Sequence, residues 1–116
     1  MNVFFDVQGT LISGGKPRPL AREVFAGLID NGHHVYLWST AGPSYARGAA
    51  KLLEVEDLVF GYYSKYDDIP VTVDFFVDDH ADFADHRSGH HIRPFDGDTD
   101  DTELRKVLDT LTQELT

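Results

Sequence analysis

The stretch FFDVQGTL occupies residues 4–11 and joins an apolar, β-prone run to an acid and a glycine-containing turn. The run from Val3 to Asp6 is typical of a short strand that is buried on both faces of a sheet. Because the run stops at Asp6, we expect this acid at the carboxyl end of the strand. The stretch therefore predicts an α/β fold in which the first strand presents Asp6 at its end.

The rest of the chain alternates between amphipathic helices and short apolar strands. Apolar residues at helical spacing from Leu20 to Ile29, followed by Gly32, predict the first helix. VYLW at residues 35–38 predicts a second strand that ends at Ser39 and Thr40. The further expected elements are a helix carrying Tyr45, Ala49, Leu52 and Leu53, a strand within residues 58–65, a strand at residues 73–77, a short helix at residues 81–85, a weak strand at residues 90–93, and a last helix capped by Asp100 or Asp101.

This alternation predicts a single Rossmann-like domain of three layers, with a parallel sheet of about five strands and helices on both faces. In such sheets ligands bind outside the carboxyl ends of the strands, near the point where the strand order reverses. Polar residues follow four of the predicted strands at that edge: Asp6, Ser39, Lys65, Asp78 and Asp79. We therefore expect them to gather in one site.

Composition limits the possible function classes. A chain of 116 residues forms one domain, and a formal charge of −10 opposes binding to nucleic acid. The absence of cysteine excludes disulfides, thiolate nucleophiles and cysteine-ligated zinc. No apolar stretch approaches the roughly 18 to 20 residues of a membrane span, and no basic region precedes a long apolar run at the N-terminus. We expect a cytoplasmic protein with no membrane or nucleic-acid partner.

The ordered set of Asp6, Ser39, Lys65 and the Asp78–Asp79 pair resembles the four motifs of the haloacid dehalogenase superfamily. FFDVQGTL is similar to the first motif with one change, and the resemblance extends over about residues 2–82. It implies an aspartyl-phosphate mechanism in which Asp6 is the nucleophile. Ser39, with Thr40 beside it, would bind the phosphoryl group. Lys65 would neutralise charge on the phosphoryl group and on Asp6, although Lys51 is a nearby alternative.

The same resemblance implies a magnesium ion. Its protein ligands would be Asp6, the backbone carbonyl of Gln8 and a carboxylate of the acidic pair, because Mg²⁺ prefers hard oxygen ligands. Asp79 is the first choice, since it occupies the position of the metal-binding Asp in relatives that have Gly-Asp at this strand end. Asp78 would then support the ligands from outside the metal's own shell.

Gln8 is the departure from the family pattern. Most phosphatases of the superfamily have a second Asp at this position, which protonates the leaving oxygen and then activates water. Gln can orient a water but cannot exchange that proton, and general acid–base help is worth about 10² to 10⁴ in rate. His80 could substitute by chemistry, although an exposed loop histidine is the simpler interpretation.

Two functions consequently stay open. One is a magnesium-dependent phosphohydrolase or phosphotransferase of low turnover, and the other is a catalytically silent binding or regulatory module that keeps the phosphate and metal site. A phospho-accepting receiver domain is disfavoured because its acidic pair follows the first strand, whereas here the pair comes late. The short connections leave no room for a cap domain. An open site of this kind tends to go with large phosphorylated substrates or with oligomers.

Overall fold

The computed structural model of the chain describes residues 1–65, 68–80 and 89–114. In these residues a five-stranded sheet and a two-stranded hairpin are combined with three helices. The elements are β1 (Asn2–Asp6), β2 (Ile12–Ser13), β3 (Lys16–Pro17), α1 (Ala21–Asp30), β4 (His34–Ser39), α2 (Pro43–Leu52), β5 (Val59–Ser64), β6 (Phe75–Asp78), β7 (Gly89–His91) and α3 (Glu103–Glu114). The predicted α/β class is confirmed. No helix in the described ranges is long and apolar enough to cross a membrane.

The strand order places β1 in the middle of the sheet. The order is β5-β4-β1-β6-β7, and every neighbouring pair is parallel. The chain leaves β1 to build one half of the sheet with β4 and β5, and it later adds β6 and β7 on the other side. The carboxyl end of β1 is therefore the switch point, where parallel sheets bind their ligands.

The central strand is buried on both faces because its side chains alternate between two clusters. Val3 and Phe5 belong to a large apolar cluster together with buried residues of all three described helices. Phe4 lies on the opposite face, where its ring stacks on that of Tyr36 with centroids 4.7 Å apart. Burial on both faces explains why this strand lacks the alternation of apolar and polar residues that is typical of strands with one exposed face.

The described helices all pack against the same face of the sheet. The opposite face is an aromatic cluster with Trp38 and Phe76, over which Ile69, Val71 and Val73 pack. The predicted helix at residues 81–85 lies outside the described residues. A helix layer on both faces consequently stays a prediction.

Strand boundaries differ from the predicted ones by one or two residues. The strand predicted at residues 73–77 is β6, which begins at Phe75 and includes Asp78. Just before it, the Asn2 amide donates to the Asp74 side chain instead of to a strand carbonyl. The strand predicted at residues 90–93 is β7, which begins at Gly89. Of the two candidate caps for the last helix, Asp101 is the one that accepts a hydrogen bond from the Glu103 amide, at 3.0 Å.

The loop after β1 contains a hairpin that the sequence pattern did not predict. Ser13 pairs with Lys16 across a two-residue turn made by Gly14 and Gly15, with φ of 56° and 75°. Positive φ at both turn positions is the geometry that matches the twist of a two-residue hairpin, and glycine adopts it without strain. The glycine pair therefore folds residues 12–17 into a hairpin, which we call the flap, within the loop that follows Asp6.

A buried ion pair fastens this flap to the last helix. The Arg18 guanidinium bonds both carboxylate oxygens of Asp101, at 2.9 and 3.0 Å, and the two side chains are 0% and 1% exposed. Arg18 also donates to the carbonyls of Thr10 and Arg93. The pKa of Asp101 is lowered, because its bonds to Arg18 and to the Glu103 amide outweigh the opposing effect of burial.

We expect Asp101→Ala to destabilise the fold by about 3 to 5 kcal/mol, because it leaves the Arg18 charge buried without a partner and removes a helix cap. The matched control is Asp57→Ala, which breaks an equally direct Arg–Asp pair with Arg22 on the surface, where the side chains are 52% and 62% exposed. Because solvent screens the surface pair, Asp57→Ala should hardly change the free energy of unfolding. Urea unfolding monitored by circular dichroism measures both, and equal losses of stability would contradict the assignment.

Candidate active site

Asp6 lies at the end of the central strand and is only 6% exposed. Its Oδ1 is 2.8 Å from the Nζ of Lys65, which follows β5 at the far side of the sheet. The same Nζ is 2.6 Å from Oδ2 of Asp78, at the end of β6. One ammonium group therefore joins two buried carboxylates from neighbouring strands. The predicted gathering of Asp6, Lys65 and Asp78 at one edge is present in the structure.

The two members of the acidic pair have different environments. Asp78 is fully buried, and while its Oδ2 contacts Lys65, its Oδ1 accepts a hydrogen bond from the His80 amide at 2.9 Å. Asp79 is partly exposed and lies against Gly9 in the turn after β1. Asp79 is therefore the more accessible member of the pair, and its carboxylate packs against the turn after β1.

Thr10 is a site residue that the sequence reasoning missed. Its buried hydroxyl lies 3.1 Å from Oδ2 of Asp6 and 3.3 Å from Oδ1 of Asp79, so it bridges the two carboxylates. The sequence feature that could have identified Thr10 is its position four residues after Asp6 in a glycine turn, where the chain can fold back on itself. Arg18 holds the carbonyl of the same residue. The bridging hydroxyl is thus fixed by the buried ion pair of the flap.

Gly9 allows the turn to approach the acidic pair. Its φ is 84°, a left-handed conformation that residues with a side chain rarely adopt. A Cβ at this position would collide with the Asp79 carboxylate. The Gly9 carbonyl also accepts a hydrogen bond from the Phe95 amide, at 2.9 Å. The glycine in the first motif is therefore required both by backbone conformation and by space.

Three carboxylates with one ammonium group give the site an excess of negative charge. Burial raises the pKa of Asp6 to about 6, and while Lys65 opposes this increase, the charge of Asp78 and hydrogen bonding to Asp79 add to it. Burial alone would lower the pKa of Lys65, but attraction to Asp6 and Asp78 outweighs it and raises that pKa. Lys65 consequently stays protonated, whereas burial disfavours the ionised form of Asp6.

Ser39 and Thr40 end the neighbouring strand, as predicted. Ser39 is buried, and its Oγ accepts a hydrogen bond from the Ala41 amide at 3.0 Å. This bond does not use the hydroxyl hydrogen, which can still be donated. The Ser39 carbonyl accepts a hydrogen bond from the Lys65 amide at 3.2 Å, so β4 positions the lysine as well. Thr40 is exposed beside them.

Gln8 is exposed, and its side chain is held by a residue of α2. The Tyr45 hydroxyl donates to Oε1 of Gln8 at 2.8 Å. With Oε1 engaged in this way, the amide presents its NH₂ group as a hydrogen-bond donor. The sequence identified Tyr45 only as a residue of an amphipathic helix, so the contact with Gln8 is new.

Within the described ranges, one group of neighbouring side chains could jointly hold a metal ion. It consists of Asp78, Asp79 and His80, whose ligand atoms lie within 4.8 Å of one another. Asp6, a predicted ligand, is not a member of that group, although Thr10 connects it to Asp79. His80 is exposed, and His91 approaches from β7, where its Nε2 lies 3.1 Å from the Asp79 carbonyl.

The chain matches no protein-family model and no curated protein. The resemblance to the haloacid dehalogenase superfamily therefore rests on the residues of the site and stays a prediction.

Because burial penalises the charged form of Asp6, we expect Asp6→Asn to stabilise the metal-free protein at about pH 7 by about 1 to 3 kcal/mol. The folded wild type binds the Asp6 proton more tightly than the unfolded chain, so it loses stability as the pH rises from about 4 to about 6. The gain from the substitution should accordingly shrink below about pH 5. Thermal melts of both proteins in the presence of a chelator at several pH values measure this gain in stability.

The matched control is Asp109→Asn on the exposed surface of α3, which should show no comparable gain. A destabilised Asp6→Asn protein at neutral pH would show that the pair with Lys65 outweighs the burial of Asp6.

Proposed function

We propose that the protein is a magnesium-dependent phosphohydrolase or phosphotransferase that forms an aspartyl-phosphate on Asp6, as the resemblance to haloacid dehalogenases implies. The observation that carries the proposal is the position of Asp6 at the switch point, buried between Lys65 and Thr10 with two further carboxylates beside it. Structural carboxylates at strand ends are usually solvated or cap a helix. A buried carboxylate with a raised pKa in a charged cluster is characteristic of a functional site.

The reaction would proceed in two displacements at phosphorus. In the first, a carboxylate oxygen of Asp6 forms a bond to phosphorus while the bond to the leaving oxygen breaks and its electron pair stays with that oxygen. In the second, water or an acceptor alcohol attacks phosphorus and loses its proton to solvent, while the bond between phosphorus and the Asp6 oxygen breaks and restores the carboxylate. Lys65 would neutralise charge near Asp6, and Ser39 and Thr40 would donate to phosphoryl oxygens.

The donor set fits a hard divalent cation. Asp79 and Asp6 offer carboxylate oxygens close together, and Gln8 would add its backbone carbonyl. Asp78 already uses both oxygens to bind Lys65 and the His80 amide, which favours a supporting role for it. A bound Mg²⁺ would offset the excess negative charge and allow a phosphate anion to approach Asp6.

Gln8 favours a slow enzyme and also supports a second candidate, a catalytically silent module that binds phosphate and metal. Its amide cannot supply the proton that the leaving oxygen needs. In the hydrolase, that oxygen must leave as an anion or take its proton from another group such as His80. Both candidates share the same phosphate and magnesium site, so turnover is the property that separates them.

An uncapped site suits a phosphorylated substrate of any size, including a macromolecule, or an oligomer in which a neighbouring copy covers the opening. Between Asp6 and α1 the chain forms only the short flap at residues 12–17. The charge of −10 favours neither nucleic acid nor another polyanion. A cytoplasmic location stays a prediction.

Turnover is tested by the release of p-nitrophenol from p-nitrophenyl phosphate, which has a leaving group that needs little protonation. We expect slow, magnesium-dependent release by the wild type and none by Asp6→Asn. Gln8→Asp should raise the rate by about 10² or more where the second displacement limits it, because the new carboxylate can act as the base that activates water. Asp109→Asn is the control for loss of a surface carboxylate. An inert wild type with an active Gln8→Asp variant would identify the silent module, and magnesium-independent release that survives Asp6→Asn would refute the mechanism.

Metal binding is tested separately by the effect of magnesium on the melting temperature. A ligand that binds only the folded state raises its stability in proportion to the logarithm of ligand concentration. We expect magnesium to stabilise the wild type and to lose this effect in Asp79→Asn. Asp96→Asn, in the exposed acidic loop before α3, should keep it. An unchanged response in Asp79→Asn would exclude that residue as a ligand.

A further inference from the structure

A groove of about 480 Å³ lies beside the candidate active site, between the flap and α2. Ile12 and Gly15 line it from the flap, and Tyr45 and Leu52 line it from the helix. Tyr45 and Leu52 are 38% and 45% exposed, so both offer apolar surface to a ligand. The volume falls within the range of small-molecule sites.

The groove is continuous with the site through Gln8. This side chain lines the groove, comes two residues after Asp6 in the chain, and is bonded to Tyr45. In an in-line displacement the leaving oxygen departs on the side of phosphorus opposite the nucleophile. Gln8 belongs to the turn that directly follows Asp6, and the groove opens from it, so a phosphate ester held at Asp6 has this groove next to it. The leaving group would therefore extend from Gln8 into the groove.

The chemistry of Gln8 restricts the leaving group in the same direction. Because its NH₂ group can donate a hydrogen bond but no proton, it suits an oxygen that leaves as a stable anion. Phenols are far more acidic than alkyl alcohols and meet this requirement. The groove is lined mainly by apolar side chains and one aromatic ring, which is the surface that binds a phenyl group. The lining and the chemistry of Gln8 both favour an aryl leaving group over an alkyl one, whose oxygen would need a proton from another group such as His80.

We propose that this groove binds the aromatic ring of an aryl phosphate monoester, so that aryl phosphates are the substrate class of the site. The inference rests on the proposed attack of Asp6 on phosphorus. Tyr45 has two roles in it: its ring forms one wall of the groove, and its hydroxyl orients the Gln8 amide toward the leaving oxygen.

The test compares two phosphonates that cannot be hydrolysed, benzylphosphonate and methylphosphonate, by calorimetric titration with saturating magnesium. They share the phosphoryl group and differ in the ring. We expect benzylphosphonate to bind about tenfold more tightly to the wild type, because part of the ring leaves water. This readout does not depend on turnover, so it applies equally to an enzyme and to a silent module.

Gly48 provides the matched variants, since it lines the groove and a Cβ at this position meets nothing within 4 Å. Gly48→Trp should fill the groove and abolish the preference for benzylphosphonate, while methylphosphonate binds as before. Gly48→Ala is the control and should keep the preference. Leu52→Gln is a second variant that should weaken the preference without filling the space. Its control is Phe60→Gln, at a residue that is 62% exposed and outside the groove.

The outcomes separate this inference from the proposed function. Equal affinities for the two phosphonates in the wild type, or a preference that survives in a correctly folded Gly48→Trp protein, would overturn the groove assignment while leaving the phosphate site intact. Failure of both phosphonates to bind, together with no release of p-nitrophenol, would overturn both proposals. A ring preference lost only in Gly48→Trp and Leu52→Gln would support the inference.

Discussion

The ammonium group of Lys65, held between Asp6 and Asp78, is the interaction on which the site depends. The two carboxylates end adjacent parallel strands, and burying both without a cation would cost several kcal/mol per charge. Lys65 comes from the end of β5, which is separated from β1 by β4. The Ser39 carbonyl at the end of β4 accepts a hydrogen bond from the Lys65 amide. One charge thus joins the ends of β1, β5 and β6, so the site forms only when these strands are in place.

A second buried cation, directly after the flap, stabilises the loop that carries Thr10. Arg18 pairs with Asp101 at the start of α3 and holds the carbonyl of Thr10, whose hydroxyl contacts Asp6 and Asp79. The nucleophile candidate is therefore connected to the last helix through a continuous series of polar contacts. Because Lys65 and Arg18 both contact buried carboxylates, the chain can keep an acidic site inside a small fold.

The exposed side of the site has a different character. Gln8, Tyr45 and Leu52 lie where the flap faces α2, and they offer a neutral amide and apolar surface instead of charge. In the proposed reaction the buried side would hold the phosphate and the metal ion, whereas the exposed side would contact an apolar leaving group. Under the proposed function, Lys65 would favour the binding of phosphate, while Gln8 would keep turnover slow.

The sequence by itself determined the five strands of the parallel sheet, the three described helices and the convergence of Asp6, Ser39, Lys65 and Asp78 at one edge. Hydrophobic periodicity is local, and parallel strands share a carboxyl end. Only the tertiary structure decided which groups touch. The partners Arg18–Asp101 and Gln8–Tyr45 are 83 and 37 residues apart in the chain, and no local pattern encodes such contacts. They depend on how helices and loops pack on the finished sheet, which is set by the shape of the whole core.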